Sequence, residues 1–156
     1  MTHPEAEIKA VVFDIGATLV TGPPIAPNKV IAALIKDAEP AEVAAVIMTT
    51  ELESPGHACK VLETKFGPLD AQAATEIFDL WYSQRTAAQA LHEASDTVLA
   101  LKRSGLKIGL LSDIWSPYYA SVEKALPEVV AAADSKILSF QTGARKPIRD
   151  NFLRSL

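Results

Sequence analysis

Three short apolar runs stand out along the chain, each with little alternation between faces: Ala10-Val11-Val12-Phe13, Ile108-Gly109-Leu110-Leu111 and Ile137-Leu138-Ser139-Phe140. Such runs are expected of parallel strands covered by helices on both faces. Roughly ninety residues of helical patterning separate the first run from the second, where a minimal crossover needs only about ten to twelve. The excess predicts an insertion. Asn28 is placed to cap a helix carrying Val30, Ala33 and Leu34, and a second helix is expected from Ala41 towards Thr50, after Pro40. Ser54-Pro55 supplies an N-cap followed by a first-turn proline, and Gly67-Pro68 closes that helix. Ala74, Ile77, Phe78 and Trp81 recur at i, i+3, i+4 and i+7, one stripe of an amphipathic helix. Leu91, Ala94, Val98 and Leu101 keep helical spacing up to Gly105. Ser116-Pro117 opens a further helix bearing Tyr118, Val122 and Leu126, which Pro127 stops. The order predicts an α/β core formed by 8–21 and 90–156, with 22–89 as a helical cap.

Composition narrows the class. The chain has 156 residues, 49% of them apolar, enough for one ordinary core with an insertion rather than two independent domains. Its net charge of −4 and pI near 5.4 give no basic field for a phosphate backbone, so no nucleic acid partner is expected. Met1-Thr2-His3-Pro4-Glu5-Ala6-Glu7 has neither the basic nor the apolar region of a signal peptide, and no apolar run reaches membrane-spanning length. The expectation is a cytoplasmic protein without a membrane partner. Cys59 is the single cysteine, which excludes an internal disulfide and a cysteine metal cluster and leaves a buried packing role.

The chemistry sits where the strands end. Asp14 closes the first strand, at the edge where open α/β sheets build their sites, and that position suits a nucleophile. The second strand ends in Leu111-Ser112-Asp113, whose hydroxyl can donate to a phosphoryl oxygen. After the third run comes Gly143-Ala144-Arg145-Lys146-Pro147, with an amine able to neutralise negative charge. Taken in order, Asp14, Thr18 and Leu19 after one strand, Ser112 after the next and Lys146-Pro147 after the third resemble the first three motifs of the haloacid-dehalogenase-like (HAD) hydrolases. The resemblance extends from about residue 8 onward. It implies a Rossmann-like parallel sheet with an α-helical cap and an Asp14 nucleophile that forms an aspartyl phosphate. It further implies magnesium bridging Asp14, the Gly16 backbone carbonyl and the phosphate of a small phosphorylated metabolite. Ser112 and Lys146 would then hold phosphoryl oxygens, and Thr18 would position the loop or the phosphoryl group.

Two departures shape the expectation. Gly16 stands where the family's phosphatases carry a second Asp, so general acid-base assistance of about a hundredfold or more is lost. The dehalogenases of the family also lack that Asp, which keeps a 2-haloacid dehalogenase as an alternative. The chain ends at Leu156 inside the helix after Lys146, so the sheet is expected to be truncated after its third core strand, without the family's fourth, acidic motif. A fragment, a natural truncation and a chain completed by another polypeptide are the three explanations. Little magnesium-dependent turnover is then expected, and a non-catalytic binding or assembly module is the reading from another class. In the family's sheet order the first strand would become an edge, predicting self-association there. Asp113 is not equated with the missing motif. His57, His92 and Arg85 are read as ordinary core or surface residues, and Trp81 and Tyr82 as packing residues of the cap, with a substrate wall as their alternative role.

Overall fold

A computed structural model describes residues 7–154. The leader question raised by Met1 to Glu7 therefore lies, for residues 1–6, outside the described residues. Strand β1 (Ala10–Phe13) is followed by the two-residue strand β2 (Val20–Thr21) and by helices α1 (Pro27–Leu34), α2 (Pro40–Ile47), α3 (Pro55–Phe66) and α4 (Ala71–Gln84). The chain returns through β3 (Gln89–Ala90) to α5 (Ala94–Arg103), β4 (Lys107–Ser112), α6 (Ser116–Ala125) and α7 (Pro127–Ala132). It finishes with β5 (Ser135–Leu138), α8 (Ser139–Thr142) and α9 (Arg149–Arg154).

The main sheet is parallel with the order β1-β4-β5. Its centre, β4, is buried from Ile108 to Ser112, whereas β1 is only half-buried along its length. The difference follows from position, because among the described residues β1 pairs with β4 alone. Phe13 lies opposite Leu110, and Ser112 opposite Leu138. That register brings the C-terminal ends of all three strands to one edge of the sheet.

A second sheet, which the sequence did not announce, pairs β2 with β3 antiparallel, Val20 opposite Ala90 and Thr21 opposite Gln89. It clasps the two chain crossings between the main sheet and helices α1 to α4. Helix α6 holds the clasp from behind: the Tyr118 hydroxyl donates to the Thr21 carbonyl at 3.1 Å, and the Ala88 N–H donates to Ser121 Oγ at 3.2 Å. Burial pushes the Tyr118 phenol pKa up, so the group stays a donor. Gly22 is required by this contact, since a Cβ there would sit 2.5 Å from the Tyr118 hydroxyl.

Several expectations are corrected in detail. Helix α1 begins at Pro27, with Ala26 and not Asn28 as its N-cap; Asn28 Nδ2 instead donates to the Pro40 carbonyl, tying α1 to α2. Helix α2 stops at Ile47, where the Thr50 hydroxyl turns back onto the Val46 carbonyl at 2.8 Å rather than extending the helix. On α4 the buried positions are Ala73, Ile77, Trp81 and Gln84, and Phe78 is 40% exposed. The buried stripe thus takes in a glutamine and leaves out a phenylalanine. Leu91 precedes α5, and Pro127 opens α7 as well as ending α6. The third strand runs two residues earlier than the apolar run suggested, because Ser139 leaves it. Its hydroxyl accepts from the Ile114 N–H and donates to the Ile114 carbonyl, locking β5's end to the segment after β4.

Among the described residues two apolar clusters form the interior. One surrounds the main sheet and contains Val98, Ile108, Leu110, Val122 and Leu138. The other lies among α1 to α4 and contains Ile31, Ile47, Leu62, Ile77 and Trp81, together with Trp115 from the segment after β4. Cys59 belongs to the second cluster, and burial raises its thiol pKa. Among the described residues no helix is long and apolar enough to cross a membrane.

Candidate active site

The loop after β1 is a tight turn. The N–H groups of Leu19 and Val20 both reach the Ile15 carbonyl, and Ala17 occupies the left-handed region at φ 57°. This winding leaves Asp14 on the outside, half exposed. Its Oδ1 accepts the Ile15 N–H at 2.7 Å, and its Oδ2 meets Lys146 Nζ at 2.8 Å. The ammonium and the carboxylate come from positions 132 apart in sequence.

Lys146 is delivered to that place by Asp113. The Lys146 N–H donates to Asp113 Oδ1 at 2.9 Å, while Arg145 Nε stands 3.5 Å from Asp113 Oδ2. Farther along, Asn151, only 3% exposed, donates through Nδ2 to the Ala144 carbonyl at 3.0 Å. The loop after α8 is therefore fastened both to the end of β4 and to α9. Asp113, adjacent to Ser112, acts here as an anchor for main chain.

A cavity of about 200 Å³ opens between the end of β4, the start of α1, the residue after α2, the end of α4 and the start of α6. Gly16, Ser112 and Asp113 line its sheet side; Met48, Gln84 and Trp115 are among the rest of its lining. Ser112 is 4% exposed, and its hydroxyl has no hydrogen bond to another described residue, which leaves it free for a ligand. Gly16 leaves open space, since a Cβ built there meets nothing within 4 Å. Asp14, Gly16, Ser112 and Lys146 thus gather at one edge. Thr18 does not share the cavity: it lines a separate depression with Phe13, Leu91 and His92, and its N–H donates to the Ile15 carbonyl.

Of the residues the sequence set aside, Trp81 packs edge-on against Trp115 with ring centroids 5.8 Å apart, Tyr82 is 60% exposed, and Arg85 and His92 are exposed. His57 accepts the Glu53 N–H at 3.4 Å through Nδ1. Gln84 was missed. Its signal was present, because position 84 continues the Ile77 stripe at i+7 and puts an amide on an apolar face.

Among the described residues no three His, Cys, Asp or Glu side chains cluster in a way that could hold a metal. The oxygens on hand are the Asp14 carboxylate and the Gly16 carbonyl, which accepts no hydrogen bond from a described residue. Magnesium that keeps several waters and takes substrate phosphate oxygens needs only one or two carboxylates. The donor set fits that mode.

A parallel α/β sheet with a carboxylate, a hydroxyl and an amine gathered at its strand ends, and a long helical insertion after its first strand, defines the class: the chain has the HAD-like hydrolase fold. An HAD-family enzyme from Bacteroides thetaiotaomicron matches with a TM-score of 0.64 at 17% identity, over 95% of this chain and 76% of that one. The same enzyme in complex with magnesium and inorganic phosphate matches with a TM-score of 0.60 at 14% identity, over 94% of this chain and 76% of that one. A predicted phosphoglycolate phosphatase from Haemophilus somnus matches with a TM-score of 0.56 at 16% identity, over 96% of this chain and 70% of that one. No family model and no curated protein matches the chain.

Proposed function

We propose that this chain is an HAD-like phosphohydrolase of a small phosphorylated molecule, with 22–89 as a cap over the sheet. The observation that carries this is the Lys146 ammonium on the Asp14 carboxylate at 2.8 Å, next to the cavity that holds Ser112. One Asp14 oxygen attacks phosphorus in line, the phosphorus–oxygen bond to the leaving group breaks, and an aspartyl phosphate forms. Lys146 keeps the attacking carboxylate in place and balances the charge on the transferring group, while Ser112 donates to one of its oxygens. Thr18 has a loop-forming part. When bound, magnesium would be held by Asp14 and the Gly16 carbonyl and would supply further positive charge to the phosphoryl oxygens. Water then hydrolyses the acyl phosphate and restores Asp14.

Gly16 gives the leaving oxygen no proton donor. The reaction should therefore favour leaving groups that depart as stable anions, such as aryl oxides, over alkoxides. The test is phosphate release from p-nitrophenyl phosphate and from alkyl phosphates, with magnesium, by wild type and Asp14→Asn. The expected result is weak turnover, strongest on the aryl ester, which falls about a thousandfold or more in the variant. No release above the Asp14→Asn background on any ester would sink the reading.

A further inference from the structure

The cavity wall supplied by the helices carries a polar group that the proposed chemistry does not use. Gln84, the last residue of α4, is 2% exposed. Its Oε1 accepts the Trp115 indole N–H at 3.1 Å. An indole nitrogen can only donate, so the amide must present its oxygen to Trp115 and turn its two N–H donors the other way. Those donors meet no described residue. The one buried side-chain atom sealed away without a hydrogen-bond partner among the described residues is Arg145 Nε. The Gln84 amide nitrogen is therefore open to the cavity that Gln84 lines.

The surroundings limit what can sit opposite it. Met48, Pro23, Pro27 and Trp115 make the lining largely apolar, and no lysine or arginine is among the described lining residues. The lining acid, Asp113, is held by the Lys146 N–H and faces Arg145. The Tyr118 hydroxyl is committed to Thr21. A void of about 150 Å³ takes a benzene ring. The cavity here, about 200 Å³, has room for a group only somewhat larger.

We propose that this cavity takes a small, uncharged, mostly apolar leaving group whose hydrogen-bond acceptor, a carbonyl or ether oxygen, is read by the Gln84 side-chain amide. The proposal rests on the phosphohydrolase reading and names the substrate class for it. Nucleotides and sugar polyphosphates are disfavoured, having no cationic partner among the described lining residues.

Trp115 lines the cavity and adjoins Trp81, the chain's other tryptophan, so binding can be followed without turnover. The probes are cyclohexanone, an acceptor, and cyclohexylammonium, a donor, titrated against tryptophan fluorescence at about pH 8, where glutamate is ionised. Wild type should bind the ketone more tightly. Gln84→Glu keeps an oxygen for the indole and removes the donors; it should weaken the ketone about tenfold and favour the ammonium. Gln84→Met, of similar volume, should weaken the ketone equally without gaining the ammonium. Near-ultraviolet circular dichroism confirms that both variants keep the tryptophan packing. Ketone affinity unchanged in both variants, or no saturable signal in wild type, would overturn the proposal. Phosphate release from p-nitrophenyl phosphate is measured on the same samples. Selective ketone binding without hydrolysis would remove the phosphohydrolase reading alone, and hydrolysis with unselective binding would remove the subsite alone.

Discussion

The two apolar clusters have similar interiors and different duties. The cluster around the main sheet is built on β4, with Ile108 and Leu110 sealed between helices, and it fixes where the strand ends lie. Asp14 and Ser112 are placed by that register. The cluster among α1 to α4 is built on side chains from separate helices and on the edge-on pair Trp81 and Trp115, and it shapes the cavity. Trp115 follows β4 in sequence by three positions, yet its ring belongs to the helical cluster. Tyr118 packs against both. The seam between the clusters is thus made by the segment that opens α6. Charge is positioned by a sheet edge, and selectivity is positioned by helix packing.

The largest effect should come from cutting the seam. Trp115→Ala removes a fully buried indole and leaves the Gln84 oxygen without its donor, so urea denaturation should show a loss of about 3–5 kcal/mol. Leu110→Ala, wholly within the sheet cluster, should cost about 2–5 kcal/mol. The two should differ in what survives. Tryptophan-reported cavity binding should be lost in the first and kept by the folded fraction of the second. Equal retention would dissolve the distinction between the clusters.

A change confined to the sheet edge sharpens the comparison from the other side. Gly16 has open space for a side chain and an ordinary negative φ, so Gly16→Asp should fold with its stability moved by no more than about 0.5 kcal/mol. It should raise alkyl phosphate turnover about a hundredfold by supplying the missing proton donor. Aryl esters, which need that proton least, should gain less. A uniform gain across esters would contradict the leaving-group argument.

The smallest effect lies at the far end of β4. Asp134 has its carboxyl pKa lowered to about 2, first by the hydrogen bond from Lys102 at 2.6 Å, then by the Ile108 N–H. A depressed carboxyl contributes stability above its ordinary pKa of 3.8 and loses it as pH falls through the folded value near 2. Thermal melts of wild type should therefore decline between about pH 4 and pH 2 more steeply than those of Asp134→Asn. Parallel curves would mean that this exposed anchor does not contribute to the sheet cluster.

Much of the fold is legible in the amino-acid order, for local reasons. β4 declares itself because a strand covered on both faces has no polar alternation, β1 because its run is equally apolar although it is only half-buried, and α3 because Ser54, Pro55 and Gly67 mark its ends by backbone chemistry. Where local signals competed, legibility failed. Asn28 is a good cap residue, but Pro27 had already supplied a first helical position, and the asparagine was left to reach Pro40. Ser139 sits in an apolar run, but its hydroxyl finds both backbone groups of Ile114 and ends the strand early. The strands β2 and β3 are two residues each, too short to carry any period.

The sequence by itself determined the α/β class, the helical insertion, and the carboxylate, hydroxyl and amine near successive strand ends, because each depends on residues close together along the chain. Tertiary structure alone decided which of them touch. Lys146 reaches Asp14 across 132 positions, through a loop that Asp113 holds, and Gln84 reaches Trp115 across 31. Periodicity records which face of an element is buried, not which distant group will lie against it. That choice is made by the sheet register and by the packing of the helices, which turned Phe78 outward and closed Gln84 over the cavity.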